Sequence, residues 1–387
     1  MGQGGIIVSV REEFVFRIIE DFREGRVSRK EAALLLDLSE RQVTRISGKV
    51  RRQGLRGVKH GNTERRPVNC LSEEMRRRVL DLTVQLYPDF NMQHCLEILR
   101  ERHSVSLSYG TFHHWCRSAN VGKHRKRRTS KARLQRERMS NEGLLLQMDG
   151  SHHAWNGRDK WCLVSLIDDA TSHIPAAKFF AGETTQACLE MLRQVVEQRG
   201  IPEAILTDCA GWAGLGKREN FAQFKRACEE LGIRLITTPV PESKGRIERS
   251  YRTFQDRLVP ELRLHRISSM ADANRYLEQV FLPVYWNARN TVMPRLMESR
   301  YRAVPKGIDL DLIFCEKYQR IVRSNHTIEF EGKTYRLSKL ALGSLRGKTI
   351  EVIVSFKDAP LKLFYGHLEL EFAQLRLPKR RWICPAS

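Results

Sequence analysis

The sequence of 387 residues is short of acid: 45 Asp and Glu stand against 67 Lys and Arg, a net charge of +22. That imbalance favours a polyanionic partner, with double-stranded DNA or another nucleic acid ahead of an anionic membrane. Long apolar runs are missing as well. Nothing approaches the roughly 18 consecutive apolar residues that suggest a membrane span. The opening MGQGGIIVSVREEF has no cationic start before a long apolar core, which argues against a secretory signal. Gly2 has no second membrane signal beside it. Paired cysteines are also lacking. Nine are scattered from Cys70 to Cys384 and none forms C-x-x-C, so a structural zinc site has little support. Free thiols in a reducing cytoplasm are expected instead. Apolar residues, at 41%, are plentiful enough for real cores. At about 150 residues per domain the length suits two or three domains.

The first part reads as helices. In REEFVFRIIEDFREG, Phe14, Ile18, Ile19 and Phe22 share one helical face. In SRKEAALLLDLSERQVTRISGKVRRQG, Ser28 with Glu31 and Ser39 with Gln42 fit capping boxes around the short turn LDLS. Two short helices about such a turn are a helix-turn-helix signal over residues 1–60. Its second helix would present Arg41, Gln42, Thr44, Arg45 and Lys49 to phosphates and base edges. An ordinary helical hairpin with a basic face is the competing reading. A second helical unit, also helix-turn-helix-like, is expected over 65–121, where the adjacent His113 and His114 face different sides and suit packing or DNA contact better than metal. Between 122 and 140 lies a basic linker with one acid, Glu137, in which Arg125, Lys126, Arg127 and Arg128 would track phosphates.

From Leu144 the pattern changes to apolar runs alternating with helical segments. A mixed α/β sheet with helices packed on it is expected over 141–300. Asp149 and Asp208 each close an apolar run, and Glu248 stands near the start of a helix after a third run. Strand ends on one edge of a sheet converge, so the three acids can meet. Mg²⁺ takes oxygen ligands of this kind, and two such ions can serve both the attacking and the leaving oxygen of a phosphoryl displacement. The bland reading of Glu248 is an intrahelical pair with Lys244 or Arg252, worth about 0.3–0.5 kcal/mol. Asp168 and Asp169 sit in an expected hairpin turn and read as turn formers; Asp159 reads as surface. After residue 300, alternating segments read as a small β-barrel or sandwich over 301–387, with an irregular tail.

At this point LLLQMDGSHHAW, LVSLIDDATSHI, IPEAILTDCAGW and PESKGRIERSYRTFQDRLV resemble the catalytic core of bacterial insertion-sequence transposases, in particular the group long filed as not classified. The KGRIER helix start is the most specific match, and the strong resemblance covers about Asn141 to Pro294. It implies a retroviral-integrase, ribonuclease-H-like fold, and a triad of two aspartates and a glutamate matching Asp149, Asp208 and Glu248. It further implies Mg²⁺ or Mn²⁺ in two sites, DNA strand transfer, and a cytoplasmic, nucleoid-associated protein. The glycine-rich CAGWAGLGKREN after Asp208 departs from the family's short polar loop. Lys244, Arg246 and Arg249 around Glu248 would grip the DNA backbone, aided by the helix N-terminus. Synapsis of two element ends implies at least a dimer on DNA. A regulator with helix-turn-helix units and no chemistry would leave the three acids unexplained, and a ribonuclease-H-like nuclease without strand transfer would leave the long DNA-reading arm unexplained.

Overall fold

The structure, a computed structural model, describes residues 9–59, 70–122, 136–208, 218–238, 241–338, 343–356 and 360–375. They fall into two compact units, Met1–Arg78 and Val79–Ser387.

The first unit holds α1 (Val10–Arg23), α2 (Arg29–Leu36) and α3 (Glu40–Gln53). Both capping boxes read from the sequence are formed, Ser28 with Glu31 and Ser39 with Gln42. Asp37 ends α2 in a left-handed conformation, φ 53°, which an aspartate tolerates better than a branched residue. The chain can then reverse into α3. Ile18, Ile19, Ala32, Leu36, Val43 and Val50 close the core of this three-helix unit.

The helix α4 (Glu73–Leu86) runs across the division, and α5 (Met92–His103) and α6 (Tyr109–Ser118) follow. The last begins at Ser108, whose side chain accepts from the Thr111 amide. His113 stacks on Tyr109, a packing role.

The centre of the second unit is a five-stranded mixed sheet: β1 (Leu146–Ala154), β2 (Lys160–Asp168), β3 (Ala176–Phe180), β4 (Ala204–Thr207) and β5 (Arg234–Thr237). Their order is β3-β2-β1-β4-β5. The first three pair antiparallel, while β4 lies parallel to both β1 and β5. Alternation along β1 and β2 feeds two cores. Leu146, Met148, Cys162 and Val164 pack with α7 (Thr185–Arg199) and α8 (Arg218–Glu230). Trp161, Leu163 and Ile167 pack with α9 (Gly245–Leu264) and α10 (Met270–Tyr276).

The helix α9 is also tied to α5. His94 Nε2 lies 2.6 Å from Glu261 Oε1, Asn91 donates to Asp256 over 2.7 Å, and Arg257 pairs with Glu97. Burial lowers the His94 pKa despite its bond to Glu261, which favours the neutral ring. The sequence places 65–121 as a separate unit, but these buried contacts join α5 to the sheet domain.

The C-terminal segment holds β6 (Cys315–Ile321), β7 (Thr327–Phe330), β8 (Lys333–Leu337), β9 (Thr349–Ser355), β10 (Lys362–Tyr365), β11 (Leu368–Glu369) and β12 (Phe372–Leu375). Among the described residues the hydrogen bonds build two open sheets, β11-β10-β9-β6 and β12-β8-β7, rather than the small β-barrel read from the sequence. Successive strands β6 and β7 belong to different sheets, which cover one core of Val322, Ile328, Val352 and Leu363. Alternation predicts strands with one wet face and is silent on whether the sheet closes.

Candidate active site

Asp149 lies on β1, but not at its end. The apolar run stops there, while the strand continues through Gly150, Ser151 and His152 because β2 pairs with it along its whole length. Backbone pairing outlasts the apolar signal. Asp208 follows the last residue of β4, as the sequence suggests. Leu146 pairs with Ile205 and Gln147 with Leu206, and extending that parallel register sets Asp149 beside Asp208.

Glu248 comes from the opposite direction, on the first turn of α9. Two contacts seat that turn against β1. The Ile247 amide donates to Gln147 Oε1 over 3.2 Å, and the Tyr251 hydroxyl donates to the Asp149 carbonyl. Burial raises the Tyr251 pKa far above its usual value, with the Asp149 charge adding to it, so the phenol keeps its proton and remains a donor. Glu248 is half-buried. Among the described residues it has no hydrogen-bond or ion-pair partner. The intrahelical pair with Lys244 or Arg252 is therefore not formed.

Lys244 is engaged elsewhere. Its ammonium lies 2.9 Å from Asp149 Oδ1 and 2.5 Å from Asp208 Oδ2, with the side chain only 5% exposed. Burial works against its charge, but the bonds to Asp208 and Asp149 prevail and raise its pKa. Burial also raises the Asp149 carboxyl, opposed by Lys244 and reinforced by Asp208. Lys244 caps the start of α9 and Glu248 stands four residues on, in its first turn. The two aspartates thus already converge on one cation, with a carboxylate a turn away. Such hard oxygen donors fit a divalent ion.

Beneath this lies a second carboxylate cluster. Asp168 and Asp169 occupy the β2–β3 turn, and Asp168 accepts from Thr171 there, the turn-forming role read from the sequence. Both are also buried. Asp168 accepts from the Gly143 amide over 2.8 Å. Asp169 accepts from the Met139 amide, from Gln147, from Arg136 and from Arg246. Arg246 therefore faces inward, bound to Asp169 over 2.8 Å, while Arg249 is exposed. Glu183 was not singled out from the sequence. Its carboxyl carbon would stand 2.6 Å from a Cβ at Gly150, so glycine beside Asp149 is what admits it. No sequence motif marks this close approach.

Two comparisons with known proteins bear on this arrangement. The chain is 29% identical over 402 residues to the transposase for insertion sequence IS1202 of Streptococcus pneumoniae, covering 92% of this chain and 83% of that protein. It is 30% identical over 346 residues to the proposed transposase y4bF of Sinorhizobium fredii (strain NBRC 101917 / NGR234), covering 87% of this chain and 75% of that one. The chain belongs to the insertion-sequence transposase family. No protein-family model matches it. Among solved structures, the transposase is similar to the HTLV-2 integrase catalytic core domain in complex with magnesium, 21% identical over 36% of this chain and 89% of that chain, TM-score 0.29. A simian T-cell lymphotropic virus intasome chain is 15% identical over 78% and 100% of the two chains, TM-score 0.34.

In the transposase's first unit, Arg41, Gln42, Thr44 and Arg45 are exposed and Lys49 is partly so. Two of them are already bonded. Gln42 accepts from the Ser39 amide over 3.0 Å, and the Thr44 hydroxyl donates to the Glu40 carbonyl over 3.0 Å. Arg125, Lys126, Arg127 and Arg128 lie outside the described residues. No helix of the transposase among the described residues is long and apolar enough to cross a membrane.

Proposed function

We propose that this transposase binds the terminal inverted repeats of its element and catalyses metal-dependent nicking and strand transfer into target DNA. The observation that carries this reading is the convergence of Asp149 and Asp208 on one cation, with Glu248 a helical turn beyond. The three carboxylates would hold Mg²⁺ or Mn²⁺, two ions in all. Bound there, such ions supply activation of the attacking oxygen and charge neutralisation at the leaving one. The residues' own part is to fix the oxygens. Tyr251 and Gln147 dock α9 on β1, so Glu248 is presented by a braced helix and not by a loop. In nicking, a water oxygen bonds to phosphorus as the bond to the 3′ oxygen breaks. The freed 3′-hydroxyl then attacks a target phosphodiester and displaces a target 3′-hydroxyl. Neither step needs a covalent enzyme intermediate.

Residues 1–60 and 65–121 would read the element ends, 122–140 would track phosphates, 141–300 would do the chemistry, and 301–387 would form an accessory β domain. The readers include Arg41, Arg45 and Lys49, and at least two protomers would pair the ends. The test is a labelled terminal-repeat duplex with Mg²⁺ and plasmid DNA, scored on a denaturing gel. Nicked and joined products are expected. Nicking without joining would make the protein a nuclease, and binding alone a regulator.

Truncation should separate reading from chemistry at residue 70 rather than 120. Removing 1–70 is expected to abolish specific end binding while the rest still unfolds cooperatively. Removing 1–120 takes away Asn91, His94 and Glu97, so that buried Arg257 of α9 loses its carboxylate partner while Glu261 keeps Tyr276 and His265, a change costing about 3–5 kcal/mol for a buried pair. Equal melting temperatures for the two truncations would refute this.

A further inference from the structure

The triad accounts for Asp149, Asp208 and Glu248, but leaves Lys244 without a task at the place where two acids meet. We propose that Lys244 is a resident counter-ion of the aspartate pair, which must be drawn off by DNA before metal can load. The proposal rests on the aspartates being the metal ligands.

Its ammonium is within hydrogen-bond range of one oxygen from each aspartate, 2.9 and 2.5 Å. A Mg²⁺-like ion binds such oxygens at about 2.0–2.1 Å. The ammonium and the ion therefore contend for the same oxygens, and their like charges oppose joint occupancy. Without a cation, two carboxylates this close and this buried would repel each other, so Lys244 stabilises the pair when no metal is bound. The lysine can also leave. It ends a 3-10 turn, Pro241–Lys244, just before α9, and its four-carbon stem is flexible. Asp208 is 31% exposed while Asp149 is 17% exposed, so the pair is open on the Asp208 side. A DNA phosphate arriving there offers the ammonium another anion. Metal loading would then wait for substrate, and the free protein would carry a quiet site.

The experiment is Mn²⁺ titration of the full-length protein, followed by loss of the free-ion electron paramagnetic resonance signal. Without DNA, Lys244→Gln should bind Mn²⁺ roughly tenfold more tightly than wild type, the low end of coupling between close charge pairs. Lys244→Arg, which keeps the charge, should stay as weak as wild type. The Lys244→Gln protein should also melt lower without metal and gain more from Mn²⁺ than wild type does. With an element-end duplex, after subtraction of Mn²⁺ bound by DNA alone, wild type should approach the variant. Equal or weaker binding by Lys244→Gln overturns the proposal. So does a wild-type affinity that DNA leaves unchanged. Adding Asp149→Asn to Lys244→Gln keeps the two levels apart: if tight binding persists, the ion sits elsewhere and the triad reading itself fails.

Discussion

Glu248→Gln is expected to bind and pair element ends like wild type and to yield neither nicked nor joined product, a loss on the order of 10³-fold or more. The size and helix propensity of the residue are nearly unchanged. Among the described residues Glu248 has no partner, so no structural bond is lost with its charge. A drop in activity would then report on what the carboxylate does toward metal and DNA. Asp149→Asn and Asp208→Asn should fail in the same way, since in the proposed reading the three serve one cluster. The control is Asp159→Asn, an exposed site beyond β1 that bonds to nearby Asn156. Its stability should stay within about 0.5 kcal/mol of the parent. Product formation by Glu248→Gln at the wild-type rate would remove Glu248 from the site.

Asp169→Ala is expected to be the most damaging single change to the fold itself. Asp169 is fully buried and serves four donors: Gln147, the Met139 amide, Arg136 and Arg246. Taking away the carboxylate leaves buried Gln147 and the Met139 amide without their acceptor and the partly exposed Arg136 and Arg246 without their counter-charge, at about 1–3 kcal/mol for each buried group left unsatisfied. The damage should travel. Gln147 accepts from the Ile247 amide one residue before Glu248, so loosening Gln147 loosens the helix start that carries the acid. Chemical denaturation should show the loss, and strand transfer should fall even where the variant remains folded. A destabilisation below about 1 kcal/mol, the level of an ordinary surface change, would show that the cluster is not needed.

Much of this is legible in the sequence. Capping boxes announce themselves because Ser and Glu or Gln stand three residues apart, and both formed. The mixed sheet followed from apolar runs alternating with amphipathic helices. The insertion-sequence resemblance agrees with the family to which the chain belongs. What stayed hidden depended on direction. Lys244 and Arg246 read as two cations facing DNA; one turns to Asp149 and Asp208, the other to Asp169. Spacing along a helix start tells which residues neighbour each other, not which face meets the sheet. Asp168 and Asp169 read as turn residues, and the turn is there, but nothing local shows that it lies beneath Arg136, Arg138 and Gly143.

The bonds made by Gln42 and Thr44 narrow the vocabulary of α3. With the Gln42 amide oxygen holding Ser39, the helix gives up the side chain best suited to an adenine edge. Arg41, Arg45 and Lys49 remain, spaced one turn apart along a single line. At 1.5 Å per residue successive members stand about 6 Å apart, close to two base-pair steps of a strand at about 3.4 Å each. A helix that speaks only in cations is suited to guanines and phosphates. In the proposed reading, exchanging Gln42 would thus perturb how firmly α3 begins, and leave the choice of DNA sequence to Arg41, Arg45 and Lys49.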